Sequence, residues 1–193
     1  MNNIYQNQCG RIKYRHELDG LRAFAVLFVV LFHLKPNLIP NGYVGVDIFF
    51  VLSGFLITSL LLREINEGKF SFQNFWIRRI RRILPASLVC ILGTMAIACV
   101  VMLPSDLVAA ARSAMASALA VANVFFWRDG GYFAGPSDAK PFLHFWSLSV
   151  EEQFYLFYPI LLFAVSRFRK ISVFQILLFG AVGSFLLSVW GVA

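Results

Sequence analysis

Arg22 and His33 are the residues of this sequence whose types and spacing point most clearly to chemistry. Both lie in one otherwise apolar run, from Leu18 to Leu34. Eleven residues at about 100° each make three turns plus roughly 20°, so a helix would place both side chains on one face. Their Cα atoms would be about 16 Å apart along the helix axis. Because hydrocarbon tolerates ionisable groups poorly, the pair predicts a functional role.

Each of these two side chains also has a purely structural explanation. Arg22 could extend its guanidinium back to the membrane interface, or pair with Asp19 on the same helix. His33 could be a neutral residue that forms hydrogen bonds between helices. Both explanations stay open at the level of the sequence.

The composition predicts that these residues belong to a membrane protein. Of the 193 residues, 59% are hydrophobic, 21 are Phe and only 14% are charged. Soluble domains are about 45 to 50% apolar and about 25% charged. Five runs approach the roughly 20 apolar residues that a helix needs to cross a bilayer; they are 18–34, 44–62, 83–103, 145–165 and 173–192. The sequence therefore predicts an all-α polytopic membrane protein with about five transmembrane helices.

A sixth apolar segment, Leu107 to Trp127, is rich in Ala and Ser and contains Arg112. Cytoplasmic loops collect Lys and Arg. With five spans, the basic clusters at 11–15, 63–82 and 167–170 all fall on the inner side, and residues 1–17 form a cytoplasmic leader without a cleavable signal peptide. Because a sixth span would move the last cluster outside, we predict an outer-side helix here. A sixth span with a re-entrant partner is the alternative.

Four titratable side chains share the outer half of this predicted topology: His33, Asp47, Glu151 and Glu152. Intramembrane groups of this kind usually face the bundle interior and pair with one another. Asp47 would also suit the first turn of the second helix, where a carboxylate complements the helix dipole. Each acid near mid-membrane costs roughly 2.5 to 3.5 kcal/mol, so we predict that at least one of the two adjacent glutamates is functional.

A basic stretch, Phe75 to Ile83, precedes the third predicted span. It alternates apolar residues with four arginines, Arg78, Arg79, Arg81 and Arg82. Contact with anionic lipid headgroups, worth about 1 kcal/mol per basic residue, would explain this pattern. The functional alternative is binding of an anionic phosphorylated ligand from the cytoplasm, since arginine forks match phosphate oxygens.

Two other classes of function are disfavoured by the sequence. The net charge of +7 does not indicate nucleic-acid binding, because the basic residues lie in short clusters beside apolar runs. Cys90 and Cys99 are nine residues apart and would lie on opposite faces of a helix, while Cys9 lies in the leader. Neither a metal site nor a disulfide framework is predicted.

Four ordered segments carry a family resemblance: HELDGLRAFAVLFVVLFH (16–33), GYVGVDIFFVLSGFLIT (42–58), FWIRRIRRILPA (75–86) and HFWSLSVEEQFYLFYP (144–159). Together they closely resemble the acyltransferase 3 family, bacterial integral membrane O-acyltransferases that modify cell-envelope glycans. The resemblance implies transfer of an acyl group, such as acetyl, from a cytoplasmic acyl-CoA donor to a sugar hydroxyl outside the inner membrane. In that family the positions matching Arg22 and His33 are regarded as essential, as are arginines in the stretch matching Arg78 to Arg82.

The chemistry implied by the resemblance assigns a role to each candidate residue. His33 would be the general base for the acceptor hydroxyl, since imidazole titrates near neutral pH. Asp47, Glu151 or Glu152 could orient the ring and stabilise the imidazolium. Arg22 and the four arginines would hold the donor phosphates. Acyl-CoA would be a substrate, and no permanently bound cofactor is expected.

The length of the chain bears on the same prediction. The family's domain has about ten spans, which at about 20 residues each need more than this sequence provides. We therefore expect the N-terminal portion of such a domain, with a C-terminal half supplied separately, or else an inactive truncated fragment. Lipopolysaccharide O-antigen, capsule, peptidoglycan, exported oligosaccharide and macrolide acceptors all stay open. A transporter or channel subunit is the alternative of a different class, although no repeat relates the two halves of the sequence.

Overall fold

The computed structural model describes residues 16–35, 37–128, 140–167 and 173–192. Within these residues the chain forms seven α-helices and no strand. The helices are α1 His16–Leu34, α2 Val44–Asn66, α3 Phe72–Val101, α4 Pro104–Ala118, α5 Ala122–Arg128, α6 Phe145–Arg167 and α7 Val173–Val192. The all-α prediction is confirmed. The chain divides into two compact units, Met1–Ser59 and Leu60–Ala193; most of the predicted leader, residues 1–15, lies outside the described residues.

Three helices, α2, α3 and α6, are long and apolar enough to cross a membrane. A shorter apolar helical segment, Leu177–Trp190, lies within α7. Helix α1 coincides with the first predicted span, but its 19 residues include the charged side chains of Glu17, Asp19 and Arg22. The helices are those of a multi-pass membrane protein, and the count of about five spans stays a prediction.

Helix α3 begins eleven residues before the predicted start of the third span. The Ser71 hydroxyl caps it by accepting a hydrogen bond of 3.4 Å from the Asn74 N–H. The helix then runs for 30 residues and continues through Pro85. The sequence predicts that the basic stretch precedes the membrane helix. In the structure, the stretch forms the first turns of that helix. Helix α3 ends at Val101, two residues before the predicted end of the span, and Leu103 is the N-cap of α4.

The segment predicted as one outer-side helix, Leu107 to Trp127, belongs to two helices. The chain breaks between α4 and α5 at Ala120, whose φ of 56° lies in the left-handed region. Gln153 of α6 stabilises this break by donating a hydrogen bond of 2.8 Å to the Ala120 carbonyl. The helices have 15 and 7 residues, and each is shorter than the roughly 20 residues of a span. Which side of the membrane they occupy stays a prediction.

The core of the second unit lies where α3, α4, α5 and the start of α6 meet. Its buried residues are Ile91, Ala110, Ala114, Ala122, Phe126, Phe142 and Leu143. The buried face of α4 is made of small residues, which let helices approach closely in a membrane. Its two buried serines donate to carbonyls of their own helix, Ser113 to Ala110 and Ser117 to Ser113. No buried hydroxyl on this face therefore needs an outside partner.

In the first unit, two glycines allow the start of α2 to approach α1. A Cβ at Gly45 would overlap the carbonyl oxygen of Ala25, a residue that is only 1% exposed. A Cβ at Gly42 would overlap the carbonyl oxygen of Phe28 in the same way. The close approach keeps both Arg22 and His33 on a helix that is held against α2.

Candidate active site

Arg22 lies on α1 with a half-buried side chain. Its guanidinium carbon is 5.3 Å from the centre of the Phe49 ring on α2, in a cation–π arrangement. Its Nε is buried and has no hydrogen-bond partner among the described residues. A buried N–H without a partner costs free energy. The Arg22 Nε therefore does not pair with Asp19. This N–H is a hydrogen-bond donor for an anionic or carbonyl ligand.

His33 lies in the last turn of α1 and is exposed. Its Nδ1 is 2.7 Å from the carbonyl oxygen of Val29, one turn earlier. A carbonyl only accepts hydrogen bonds, so Nδ1 carries the proton. In the neutral ring the basic lone pair is therefore on Nε2. The sequence predicts that a carboxylate orients the His33 ring. In the structure, the Val29 backbone carbonyl does so at Nδ1.

Asp47 is exposed in the first turn of α2. A carboxylate there complements the positive end of the helix dipole. Complementing the helix dipole is the structural role that the sequence predicts for Asp47 as an alternative to catalysis. Its predicted catalytic role stays a prediction.

The first two arginines of the basic stretch are held in different ways. Arg78 forms a salt bridge of 2.7 Å with Glu64, near the end of α2. Arg79 is half-buried, with its guanidinium carbon 5.7 Å from the ring centres of both Phe75 and Tyr155. The Arg79 Nε is buried and has no hydrogen-bond partner among the described residues. Arg78 is thus neutralised by a protein carboxylate, whereas Arg79 lies within cation–π distance of two aromatic rings.

The last two arginines of the stretch, Arg81 and Arg82, are exposed. They lie on the same helix as Arg79, one turn or less away, and they present their charge at the protein surface. Exposed guanidinium groups suit phosphate oxygens, whether of a lipid headgroup or of a soluble ligand. The four arginines are therefore not equivalent.

Tyr155 of α6 contacts both a carboxylate and an arginine of this site. Its hydroxyl donates a hydrogen bond to the Glu151 carboxylate, and its ring faces Arg79. Its backbone carbonyl accepts a hydrogen bond of 3.2 Å from the Trp76 Nε1. That carbonyl is available because Pro159, four residues later, has no N–H to donate. A tryptophan of α3 thus completes the backbone hydrogen bonding of α6.

Glu152 and Arg79 line one cavity of about 360 Å³. Its remaining walls are Trp76, Ile80, Ile83, Leu84, Tyr155 and Leu156. The predicted topology places Arg79 with the cytoplasmic donor site and Glu152 with the outer carboxylates, whereas both side chains line this one cavity; their roles stay predictions. The early start of α3 brings the basic stretch alongside α6; Phe72 contacts Phe163 at 5.3 Å between ring centres.

Tyr155, Trp76 and Pro159 are site residues that the sequence pattern did not single out. A signal was nevertheless present, because Tyr155 follows Glu151 by four residues and precedes Pro159 by four. The spacing from Glu151 places the Tyr155 hydroxyl beside a carboxylate on one helix face. The spacing to Pro159 leaves the Tyr155 carbonyl without a helical N–H donor. The partner of that carbonyl could not be read in the same way, since Trp76 is 79 residues away along the chain.

The turn between α2 and α3 carries a compact charge cluster. The Glu67 carboxylate accepts hydrogen bonds of 2.8 Å from Arg63 and 3.1 Å from Lys69. The hydrogen bond from Arg63, with that from Lys69, lowers the pKa of Glu67 from its usual value of 4.5. Gly68 completes the turn with a φ of 67°. The cluster fixes the loop that leads into the basic stretch.

A family model described as "Acyltransferase domain" matches residues 15–192. The chain belongs to this family. The resemblance to acyltransferase 3 proteins is thereby confirmed, and it covers every candidate residue named above. Membership of a membrane acyltransferase family also agrees with the long apolar helices α2, α3 and α6.

The chain is also similar to curated bacterial proteins. It is 40% identical over 154 residues to a "Putative O-acetyltransferase" of Staphylococcus aureus strain MSSA476, covering 79% of this chain and 25% of that protein. It is 44% identical over 153 residues to the "Putative peptidoglycan O-acetyltransferase YrhL" of Bacillus subtilis, covering 78% and 24%. It is 37% identical over 169 residues to the "O-acetyltransferase OatA" of S. aureus strain NCTC 8325, covering 86% and 28%. The chain thus spans about a quarter of the length of these relatives. No solved structure matches it significantly.

Proposed function

We propose that this chain forms part of a membrane O-acyltransferase that moves an acetyl group from cytoplasmic acetyl-CoA to a hydroxyl of a cell-envelope glycan. Family membership supports the acyltransferase activity. Two relatives are named "O-acetyltransferase OatA" and "Putative peptidoglycan O-acetyltransferase YrhL", which supports acetyl as the acyl group and peptidoglycan as the acceptor. We place the protein in the bacterial inner membrane, with about five spans in this chain and a cytoplasmic N-terminus.

The observation that carries the proposal is the hydrogen bond from His33 Nδ1 to the Val29 carbonyl. It fixes the tautomer in which Nε2 can accept a proton. Nε2 would take the proton of the acceptor hydroxyl while the hydroxyl oxygen attacks the thioester carbonyl. A C–O bond forms, the C–S bond breaks, and the leaving CoA thiolate takes the proton from the imidazolium. The products are an O-acetyl ester and free CoA.

Guanidinium groups would hold the donor. Arg81 and Arg82, which are exposed, would bind the phosphates. Arg22 and Arg79 each offer a buried Nε without a partner in the described residues. Asp47, Glu151 and Glu152 stay the candidates for the carboxylate that stabilises the imidazolium.

Membranes containing the protein, incubated with radiolabelled acetyl-CoA, test this function. We expect label to reach peptidoglycan with the wild type and not with His33→Ala, while membrane insertion is unchanged. His16→Asn, which changes an exposed histidine at the start of α1, is the matched control and should keep the activity. Transfer by His33→Ala at the wild-type rate would overturn the assignment of the base. Absence of label with the intact wild-type protein would overturn the proposed reaction.

A further inference from the structure

The cavity between α3 and α6 contains two polar side chains that do not satisfy each other. The Arg79 Nε is buried without a hydrogen-bond partner among the described residues. Glu152 is half-buried in the same cavity, and no salt bridge joins it to Arg79 in the described part of the chain. An N–H that is buried away from water without a partner costs free energy. A ligand in this cavity can supply an acceptor to Arg79 and a donor to Glu152.

The two side chains define what that ligand must carry. Arg79 needs a hydrogen-bond acceptor, whereas an ionised Glu152 needs a donor. A hydrocarbon chain supplies neither group. A fully ionised phosphate group supplies acceptors alone, and an ionised Glu152 would repel its charge. A secondary amide supplies a carbonyl and an N–H in one planar group, which matches the pair.

The walls of the cavity restrict the ligand further. Apart from Arg79 and Glu152, they consist of aromatic and aliphatic side chains, among them Trp76, Ile83 and Leu156. A ligand that fills about 360 Å³ beside these residues must be mostly apolar. Alkyl segments joined by amides meet this requirement.

We infer that this cavity binds the pantetheine arm of the acyl-CoA donor. An amide carbonyl of the arm accepts a hydrogen bond from Arg79, and an amide N–H donates to Glu152. The inference rests on the proposed function. It also changes the role of Arg79, which contacts the amide arm and leaves the phosphates to Arg81 and Arg82.

The test separates the two parts of the donor. The protein is reconstituted in membranes, and radiolabelled acetyl-CoA is displaced either by pantetheine or by adenosine 3′,5′-bisphosphate. Glu152→Leu should weaken displacement by pantetheine about tenfold or more, because a hydrogen bond to a charged group is lost. Displacement by the bisphosphate should stay at the wild-type level.

A second variant reaches the same cavity without changing a charge. Leu84→Trp places a large ring at the cavity wall and should exclude pantetheine while the bisphosphate still binds. Asp106→Asn, which changes an exposed acid in the first turn of α4, is the control and should affect neither competitor.

The outcomes distinguish this inference from the proposed function. If both variants bind pantetheine normally, or lose pantetheine and bisphosphate binding equally, the assignment of the cavity is wrong while donor binding stands. If the wild-type protein binds no acetyl-CoA, the proposed function is wrong, and the assignment of the cavity fails with it. Selective loss of pantetheine binding in both variants supports the assignment.

Discussion

Trp76 supplies the hydrogen bond that Pro159 removes from α6. Proline has no N–H, so the Tyr155 carbonyl loses its helical donor. The Trp76 Nε1 of α3 donates to that carbonyl over 3.2 Å instead. In a membrane, where water cannot replace a missing backbone partner, such a substitute is worth more than a surface hydrogen bond. The Tyr155 ring centre also lies 5.7 Å from the Arg79 guanidinium carbon.

Trp76→Phe should therefore destabilise the protein, because it leaves the Tyr155 carbonyl without a donor. We expect a loss of about 1 to 3 kcal/mol in the free energy of unfolding. In a Pro159→Ala background the helix can supply its own N–H, so the same tryptophan change should cost less. The free energy of unfolding in mixed micelles, determined for the two single variants and the double variant, gives the coupling between the two positions.

Trp127→Phe provides the matched control for this cycle. Trp127 is 76% exposed at the end of α5, and changing it should leave the unfolding free energy nearly unchanged. Equal costs of Trp76→Phe with proline and with alanine at position 159 would show that the two residues are not coupled.

Two substitutions of Tyr155 separate the contributions of its ring and its hydroxyl. Tyr155→Phe keeps the aromatic face beside Arg79 and loses the hydrogen bond to Glu151. Tyr155→Leu loses both. If the ring positions the guanidinium for the donor, the KM for acetyl-CoA should rise several-fold in the leucine variant, since a cation–π contact contributes about 0.5 to 2 kcal/mol. The phenylalanine variant should keep the wild-type KM.

The control for the leucine variant lies on the same helix. Phe157→Leu also replaces an aromatic residue by leucine, at a position that is 64% exposed. It should leave the KM unchanged. A rise of the same size in Phe157→Leu would mean that general packing of α6, and not the Arg79 contact, sets donor affinity.

Much of the fold could be predicted from the sequence because membrane helices are long apolar runs. The predicted runs 44–62 and 145–165 lie within α2 and α6, and 18–34 lies within α1. Helix α3 begins at Phe72, before the predicted span, because arginines lower the hydropathy of a segment without stopping a helix. The break at Ala120 was also missed; a left-handed alanine has no sequence signature, and Gln153 that stabilises it comes from another helix.

The candidate site was predictable in its residues and less so in its pairing. His33 and Arg22 are both costly groups in an apolar run, which composition alone reveals. The partners are a different matter. The Val29 carbonyl orients His33, and Arg79 shares a cavity with Glu152. Such pairings depend on rotamers and on helix offsets, and neither is encoded in a local spacing.

The charge cluster at the turn between α2 and α3 predicts a pH dependence. The pKa of Glu67 is lowered in the folded protein by its hydrogen bonds to Arg63 and Lys69. A lowered pKa stabilises the fold at pH values above the usual 4.5, and this stabilisation is lost as the pH falls through the lowered value. Glu67→Gln should therefore be less stable than the wild type near neutral pH and equally stable in acid.

Thermal unfolding of both proteins across this pH range measures the effect. Because the cluster lies at the surface, the difference should be small and should shrink in high salt. A difference that is independent of pH would mean that the Glu67 carboxylate is not the stabilising group.

Two glycines of α2 provide the sharpest test of the contact between α1 and α2. Gly45→Ala would drive a Cβ into the Ala25 carbonyl oxygen, and we expect it to cost about 1 to 3 kcal/mol in stability by overpacking. Gly54→Ala is the matched control on the same helix, since a Cβ there meets nothing within 4 Å. That change should be neutral or stabilise the helix by about 0.5 to 1 kcal/mol, because alanine has the higher helix propensity.

Unfolding in micelles compares the two variants, and equal stability would show that α1 does not approach α2 at Gly45. The Arg22 guanidinium carbon lies 5.3 Å from the Phe49 ring centre across the same pair of helices. A destabilised Gly45→Ala protein should therefore also lose the proposed acetyl transfer. Gly54→Ala should retain it.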